Sequence, residues 1–296
     1  MEKLERFSGF FVAAVTPFDE HDQINTCALD KLIAKTISQG ASGFLVAGSS
    51  GEFPLLTLEE RMEVFDACAK YKENTVLIAN VTAVSLKEAA VYAQCAEKLG
   101  FHAVMSTAPY YFKFDMKAIA DYFRALKNTT DLPLFLYNFP VNTGVEIDID
   151  HPDISSILTD GTLAGVKQTS INLGQLERMK NKNPGLAVFA GYDDVYLAAK
   201  AIGADGAIGS TFNFSLPLFT PIEQAFRARD IVRAQAFQSR ANDVISIINR
   251  CGLFPSIKYI LTKQGIQAGN CRSPFPPLSQ SSKRMLDGMM NEYLNA

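Results

Sequence analysis

Leu134-Phe135-Leu136-Tyr137-Asn138-Phe139 and Leu163-Ala164-Gly165-Val166-Lys167-Gln168-Thr169 are short apolar runs, and Tyr137 and Lys167 stand thirty residues apart within them. Neither run alternates apolar with polar residues, as a strand with one wet face does. Both read as strands buried on two faces of a parallel sheet. If they are consecutive parallel strands, Tyr137 and Lys167 lie side by side at one mouth of a barrel. Lys167 is the odd residue in its run, because an ammonium is expensive to bury. A lysine so placed serves as an amine nucleophile toward a ketone or aldehyde, and a phenol beside it can move protons.

The same beat continues outward in both directions. Apolar runs at 10–16, 43–48, 75–81, 103–109, 134–139, 163–169, 187–192 and 206–211 alternate with amphipathic stretches, among them 28–39, 58–71, 86–99 and 116–127. Thr57 before Leu58-Glu59-Glu60 has the form of a capping box, and Ser85 stands three residues before Glu88. Gly40 and Gly100 fall where helices should stop. Eight strands, each followed by a helix, predict an α/β fold, a TIM (β/α)8 barrel over 1–214. Residues 215–296 carry no strand runs and predict helices at 215–226, 230–249, 255–263 and 280–295, packed on the barrel as part of one structural unit. A doubly wound open sheet is the competing fold. It lacks a phosphate loop, since Gly203-x-x-Gly206-x-x-Gly209 contains a strand rather than opening a helix.

Composition narrows the classes of function. Of 296 residues, 48% are apolar and 20% charged, with a net charge of −3. That is an ordinary globule with no basic footprint for nucleic acid or an anionic membrane. The leading segment is charged, no stretch is long enough to span a bilayer, and Cys27, Cys68, Cys95, Cys251 and Cys271 contain no C-x-x-C pair. A cytoplasmic protein with reduced thiols is expected. His21, His102 and His151 are far apart, so no metal site is expected, and His102 and the cysteines read as structural.

In such a barrel chemistry gathers at the carboxyl ends of the strands. Those ends carry Gly48-Ser49-Ser50-Gly51-Glu52, Pro109-Tyr110-Tyr111, Tyr137, Lys167 with Thr169, Gly191-Tyr192-Asp193-Asp194 and Gly209-Ser210-Thr211. The first is a glycine-flanked turn rich in hydroxyls and backbone amides, suited to a carboxylate or phosphate. Each element also has a plainer use: the turn as a simple tight turn, Tyr137 as a core aromatic, Asp193 and Asp194 as helix caps.

Taken together, these motifs resemble the dihydrodipicolinate synthase and N-acetylneuraminate lyase superfamily, the class I pyruvate-dependent aldolases. Gly48 to Glu52 is similar to its G-S/T-T/S-G-E motif. Pro109-Tyr110-Tyr111, Tyr137-Asn138-Phe139-Pro140 and Gly165-Val166-Lys167-Gln168-Thr169-Ser170 resemble further motifs in the same order, so that the likeness covers essentially the whole chain. Within the superfamily the chain resembles the lyase branch, which reads G-V/L-K-Q-T-S around the lysine where synthases read I-K-E-A. Synthases usually place an arginine after Y-N-x-P; here Val141 stands there. Gly191-Tyr192-Asp193-Asp194, Gly209-Ser210-Thr211-Phe212-Asn213 and Cys271-Arg272-Ser273-Pro274-Phe275 resemble further lyase signatures. Ser50, Phe212 and Asp194 depart from the usual threonine, tyrosine and glutamate, and Asp194 bears on how a sugar tail is held.

The resemblance implies reversible aldol cleavage of N-acetylneuraminate, a sialic acid, to pyruvate and N-acetylmannosamine. A Schiff base on Lys167 carries the reaction, with no cofactor. It implies Tyr137 as the proton carrier and a relay in which Ser50 links Tyr137 to Tyr111, the latter supplied by a neighbouring subunit of a homotetramer. Ser49 and Ser50 are implied for the substrate carboxylate, and Thr169, Gly191, Asp193, Asp194 and Ser210 for the sugar hydroxyls. Another pyruvate aldolase, acting on a shorter 2-keto-3-deoxy sugar acid or on aspartate semialdehyde, is the nearest alternative. A barrel that binds ligand without turnover is a more distant one.

Overall fold

A computed structural model describes residues 5–294. Among them eight parallel strands close into a barrel in chain order. These are β1 (Gly9–Ala13), β2 (Gly43–Val46), β3 (Val76–Asn80), β4 (Ala103–Thr107), β5 (Leu134–Asn138), β6 (Gly165–Gln168), β7 (Ala187–Ala190) and β8 (Gly206–Gly209). Each is followed by its helix: α1 (Thr26–Ser38), α2 (Leu58–Ala69), α3 (Leu86–Leu99), α4 (Met116–Lys127), α5 (Pro152–Thr159), α6 (Leu173–Lys182), α7 (Tyr196–Ala201) and α8 (Phe212–Arg227). Pairing of β1 with β8, Val12 opposite Gly209, closes the ring and excludes an open sheet. Helices α9 (Ile231–Cys251), α10 (Leu253–Lys263) and α11 (Gln280–Met289) follow, then a π-type turn, Met290–Leu294. Helix α8 runs through residues 214 and 215, with a break in helical geometry at Ser215 (φ −125°, ψ 17°).

The caps explain why the helices begin and end where they do. The Thr57 hydroxyl accepts from Glu60 N at 3.2 Å while the Glu60 carboxylate accepts from Thr57 N at 2.8 Å, a complete capping box. Ser85 accepts from Glu88 N at 3.2 Å, and Gly100 ends α3 in the left-handed conformation (φ 84°).

Alternation along each strand separates two cores. Leu134, Leu136, Val166 and Val188 face outward into the layer shared with the helices. Phe135, Tyr137 and Phe189 face inward, with Phe7, Phe11, Leu45, Ile78, Met105 and Ile208. The interior holds bulky rings because glycines stand beside them. A Cβ on Gly165 would fall 2.2 Å from the Phe135 ring. A third cluster seats the C-terminal helices: Ile248, Ile257, Leu261 and Leu286 pack with Leu32 of α1 and Phe214 of α8. Among the described residues no single helix is long and apolar enough to cross a membrane.

Every strand ends one to three residues before the apolar run that encodes it. The surplus residues leave the ladder and turn into the loops at the mouth.

Candidate active site

Strand register brings the two chosen residues together. Tyr137 on β5 pairs with Lys167 on β6, and Thr107 on β4 pairs with Tyr137. Because Tyr137 and Lys167 share a parity with the inward-facing Phe135 and Gly165, both side chains enter the barrel. Lys167 is only 4% exposed and Tyr137 3%. The Lys167 Nζ lies 4.2 Å from the centroid of the Tyr137 ring, and Phe139 stacks against that ring at 5.6 Å with 12° between planes. The lysine therefore has one sequestered reactive atom held against an aromatic face. Behind it, Asn138 donates to Gln168 Oε1 at 2.8 Å and Gln168 donates to Gln175 Oε1 at 2.7 Å. Gln175 in turn is tied to the Ile147 carbonyl at 2.6 Å. This buried amide chain locks the ends of β5 and β6 in register.

The hydroxyl turn after β2 forms the facing wall. Glu52 is left-handed (φ 59°), and its N–H donates to the Ser49 carbonyl at 3.1 Å. Gly51 N donates to the Gly48 carbonyl at 3.0 Å, and Thr16 donates to the Gly51 carbonyl at 2.8 Å, tying the turn to the end of β1. Ser49 and Ser50 are consecutive and point different ways. The Ser49 hydroxyl is 3.3 Å from the Tyr137 hydroxyl, whereas the Ser50 hydroxyl is 2.7 Å from that of Ser210. The expected relay through Ser50 is thus corrected: Ser49 touches Tyr137, and Ser50 is engaged with the end of β8. Tyr111 also stands apart. It is 84% exposed, left-handed (φ 80°), and packs edge-on against Phe112 at 5.1 Å. Within one subunit it does not reach Tyr137.

The remaining residues line the β6 to β8 side. Thr169 is buried, and its Oγ1 has no hydrogen-bond partner among the described residues. Gly191 makes room for it, since a Cβ there would lie 1.9 Å from that oxygen. Asp193 is buried, and its Oδ2 accepts from Thr211 N at 3.0 Å and from the Thr211 hydroxyl at 2.6 Å. Burial raises its pKa above the ordinary carboxylate value, and the two Thr211 bonds oppose that rise. Its Oδ1 has no partner among the described residues. Asp193 is therefore partly engaged as a brace between β7 and β8, with one oxygen left over. Asp194 is exposed.

Several residues of the site escape a linear reading. Thr107 is buried with an unpartnered hydroxyl, and it lines a cavity of about 300 Å³ beside Ser49, Tyr110, Phe139, Phe53 and Phe254. Its only sequence signal was a hydroxyl inside the predicted strand run at 103–109. Asn213, buried in α8, donates to the carbonyls of Ala13 and Ser210 at 2.8 and 2.7 Å and accepts from Val15 N at 3.1 Å. It clasps β1 to β8, and it was visible only as part of the Gly209 to Asn213 motif.

A lone amine and a phenol enclosed at the carboxyl mouth of a barrel, faced by a turn of hydroxyls, are the parts a carbon–carbon lyase acting on a carbonyl requires. Residues 6–292 match the dihydrodipicolinate synthetase family, and the chain belongs to that family. It is 34% identical, over 97% of each sequence, to the N-acetylneuraminate lyase of Salmonella typhimurium. Its fold superposes on CdNal from Clostridium difficile, solved in complex with mannosamine. That match has a TM-score of 0.93 at 34% identity, covering 97% of this chain and 99% of the other. A dihydrodipicolinate synthase from Bacillus anthracis matches with a TM-score of 0.92 at 25% identity, covering 96% of this chain and 98% of the other. The fold is common to both activities, while sequence identity leans to the lyase.

Proposed function

We propose that this protein is an N-acetylneuraminate lyase, a class I aldolase that cleaves N-acetylneuraminate reversibly to pyruvate and N-acetylmannosamine. The observation that carries the reading is the buried Lys167 amine against Tyr137, joined to the near full-length similarity to lyases of that name. Lys167, as a free amine, adds to the C2 ketone of the open-chain sugar acid. Loss of water leaves an imine, which draws the C3–C4 bonding electrons into an enamine as that bond breaks. Tyr137, having given its phenolic proton to the departing water as the imine forms, takes the C4 hydroxyl proton as C4 becomes the aldehyde carbon and passes it on to C3. Protonation of the enamine at C3 and hydrolysis of the imine then release pyruvate and restore the lysine. No cofactor or metal takes part.

Ser49 and Ser50, with the amides of their turn, are proposed to hold the substrate carboxylate. Ser49 also orients the Tyr137 hydroxyl. Thr169, Gly191, Asp193, Asp194 and Ser210 are proposed for the sugar hydroxyls, and the spare oxygens of Thr169 and Asp193 suit that task. A homotetramer is proposed as the working form, with Tyr111 of a second subunit completing the proton relay. The exposed group Tyr111, Phe112, Phe114 and Val141 supports one contact face, and the exposed pair Ile231 and Val232 supports another. A cytoplasmic setting is proposed from the five unpaired cysteines.

A coupled assay for pyruvate release from N-acetylneuraminate tests the reading, and release with equimolar N-acetylmannosamine is expected. Turnover of shorter 2-keto-3-deoxy sugar acids without release from N-acetylneuraminate would move the assignment to another pyruvate aldolase.

A further inference from the structure

The turn that carries Ser49 and Ser50 closes on Glu52, a residue with a Cβ in the left-handed region where such residues are disfavoured. Its side chain is wholly buried, and its Oε1 lies 2.6 Å from the Nζ of Lys258, itself 1% exposed. The Glu52 Oε2 accepts from Arg272 N at 2.8 Å. Lys258 comes from α10, and its Nζ also donates to the Asn270 carbonyl at 3.0 Å and sits 4.1 Å from the centre of the Phe18 ring. The Arg272 guanidinium lies 4.3 Å from the same ring and donates to the Leu55 carbonyl at 2.9 Å. The C-terminal layer therefore grips the catalytic turn on both sides of Glu52.

Stability alone does not account for the pair. Desolvating two charges costs as much as their attraction returns, and apolar residues of similar volume are often at least as stable. A buried pair does fix geometry, since either charge left alone is heavily penalised. Here the geometry it fixes is specific. The Glu52 N–H holds the Ser49 carbonyl, so anchoring Glu52 through Lys258 and the Arg272 N–H holds that turn closed. The closed turn aims Ser49 at Tyr137 and Ser50 at Ser210 simultaneously.

We propose that Glu52 and Lys258 are positioning residues for the pyruvate carboxylate: they touch no substrate, but they set the turn whose hydroxyls and amides bind it. The inference rests on the imine reading above, in which that turn receives the carboxylate.

The test is borohydride trapping of pyruvate on Lys167, followed by intact mass against pyruvate concentration. It compares wild type with Glu52→Gln, Lys258→Met, the double variant and Lys258→Arg, with Tm measured in parallel. Each of the two neutralising single variants should lose stability, because each leaves a buried charge unpaired. The double variant should recover Tm yet need about tenfold more pyruvate for half-maximal trapping, the size of one charge-assisted hydrogen bond to a carboxylate. Its trapping plateau should be that of wild type, and Lys258→Arg should stay within a few-fold of wild type throughout. Should the single variants not fold, the double variant, which leaves no charge alone, decides. A double variant with both the Tm and the half-saturation of wild type overturns the proposal, as does a loss confined to the plateau. Absence of trapping in wild type would instead overturn the imine reading, and the two failures are told apart by the wild-type arm.

Discussion

The Nζ of Lys167 sits over the face of the Tyr137 ring, 4.2 Å from its centroid, while the Tyr137 hydroxyl is turned away to Ser49 at 3.3 Å. Amine and hydroxyl thus serve different ends of one aromatic side chain. The ring shields the nucleophile, and the oxygen faces the turn where a carboxylate and the departing C4 oxygen are proposed to lie.

That separation makes the lysine testable by itself. Borohydride added with pyruvate is expected to inactivate the enzyme and to add one reduced pyruvate unit to the peptide containing Lys167, since an imine is reducible and a metal enolate is not. Peptide mass spectrometry reads the site. A label on another lysine, or full activity in Lys167→Ala, would refute the assignment.

It also predicts a division of labour around Tyr137. Tyr137→Phe should still trap pyruvate while kcat falls ~10²–10⁴-fold, the usual worth of general acid–base help. Ser49→Ala should follow it in kcat, because Ser49 bonds the phenol. Ser50→Ala should act mainly on the KM for pyruvate in the synthetic direction. Equal kcat losses for the two serines would refute this division of labour.

The beat of eight strands was legible because burial on both faces writes itself as uninterrupted apolar runs, and Thr57 and Ser85 were legible because capping is local. Lys167 and Tyr137 stood out as polar atoms inside such runs. The facing of Ser49 and Ser50 was not legible. Two adjacent hydroxyls in a turn look alike in sequence, and only the folded turn decides which one meets Tyr137. Nor was the anchor of that turn, since Glu52 and Arg272 meet across 220 residues. Long-range polar contacts of this kind leave no periodic trace. The strand runs overshot for a related reason: most of the mouth residues, Ala14 to Thr16, Ala108 and Thr169 among them, are as buried as the ladder residues, so composition does not mark where the ladder stops.

The wall formed by Thr169 and Gly191 makes a steric prediction. In Gly191→Ala the new Cβ would fall 1.9 Å from Thr169 Oγ1 and 2.8 Å from Thr169 Cα. The second of these is a backbone atom, so rotation of the threonine alone does not relieve the clash. Overpacking of this sort costs ~1–3 kcal/mol. Tm should fall, and the KM for N-acetylneuraminate should rise while pyruvate trapping on Lys167 persists. Steady-state kinetics with an unchanged KM would remove this wall from the sugar site.

Acid stability should depend on the grip of Arg272. Its guanidinium binds both oxygens of Glu60, at 2.5 and 2.7 Å, and that bond chiefly holds the Glu60 pKa below its ordinary value of 4.5. A depressed carboxylate contributes stability that is fully present above the unfolded value and is lost as pH falls through the folded one. Wild type should therefore lose Tm below pH 4.5, and Glu60→Gln, less stable at neutral pH, should lose less over the same window. Parallel Tm profiles for the two proteins would show that this pair is not what titrates.

Asp194 is the departure that bears on substrate choice. It is one methylene shorter than the glutamate usual at this position in the lyase branch, so its carboxylate retreats by about one carbon–carbon bond unless the backbone advances. The backbone is pinned. Asn242 donates to the Asp194 carbonyl at 3.0 Å, and Gln238 donates to the Asp193 carbonyl at 3.1 Å while accepting from Leu197 N at 3.0 Å. The turn therefore cannot slide forward to make up the length. A hydrogen bond needs its heavy atoms within ~2.7–3.2 Å, so a contact stretched by a whole bond is lost or bridged by water. A hydrogen bond to a charged group is worth about 1.5–3 kcal/mol, of which water recovers part. Asp194→Glu should accordingly lower the KM for N-acetylneuraminate by up to about tenfold, or reorder substrates that differ in the glycerol tail, with imine formation untouched. A collapse of kcat with KM and tail ranking unchanged would place Asp194 in the catalytic scaffold instead of the tail site.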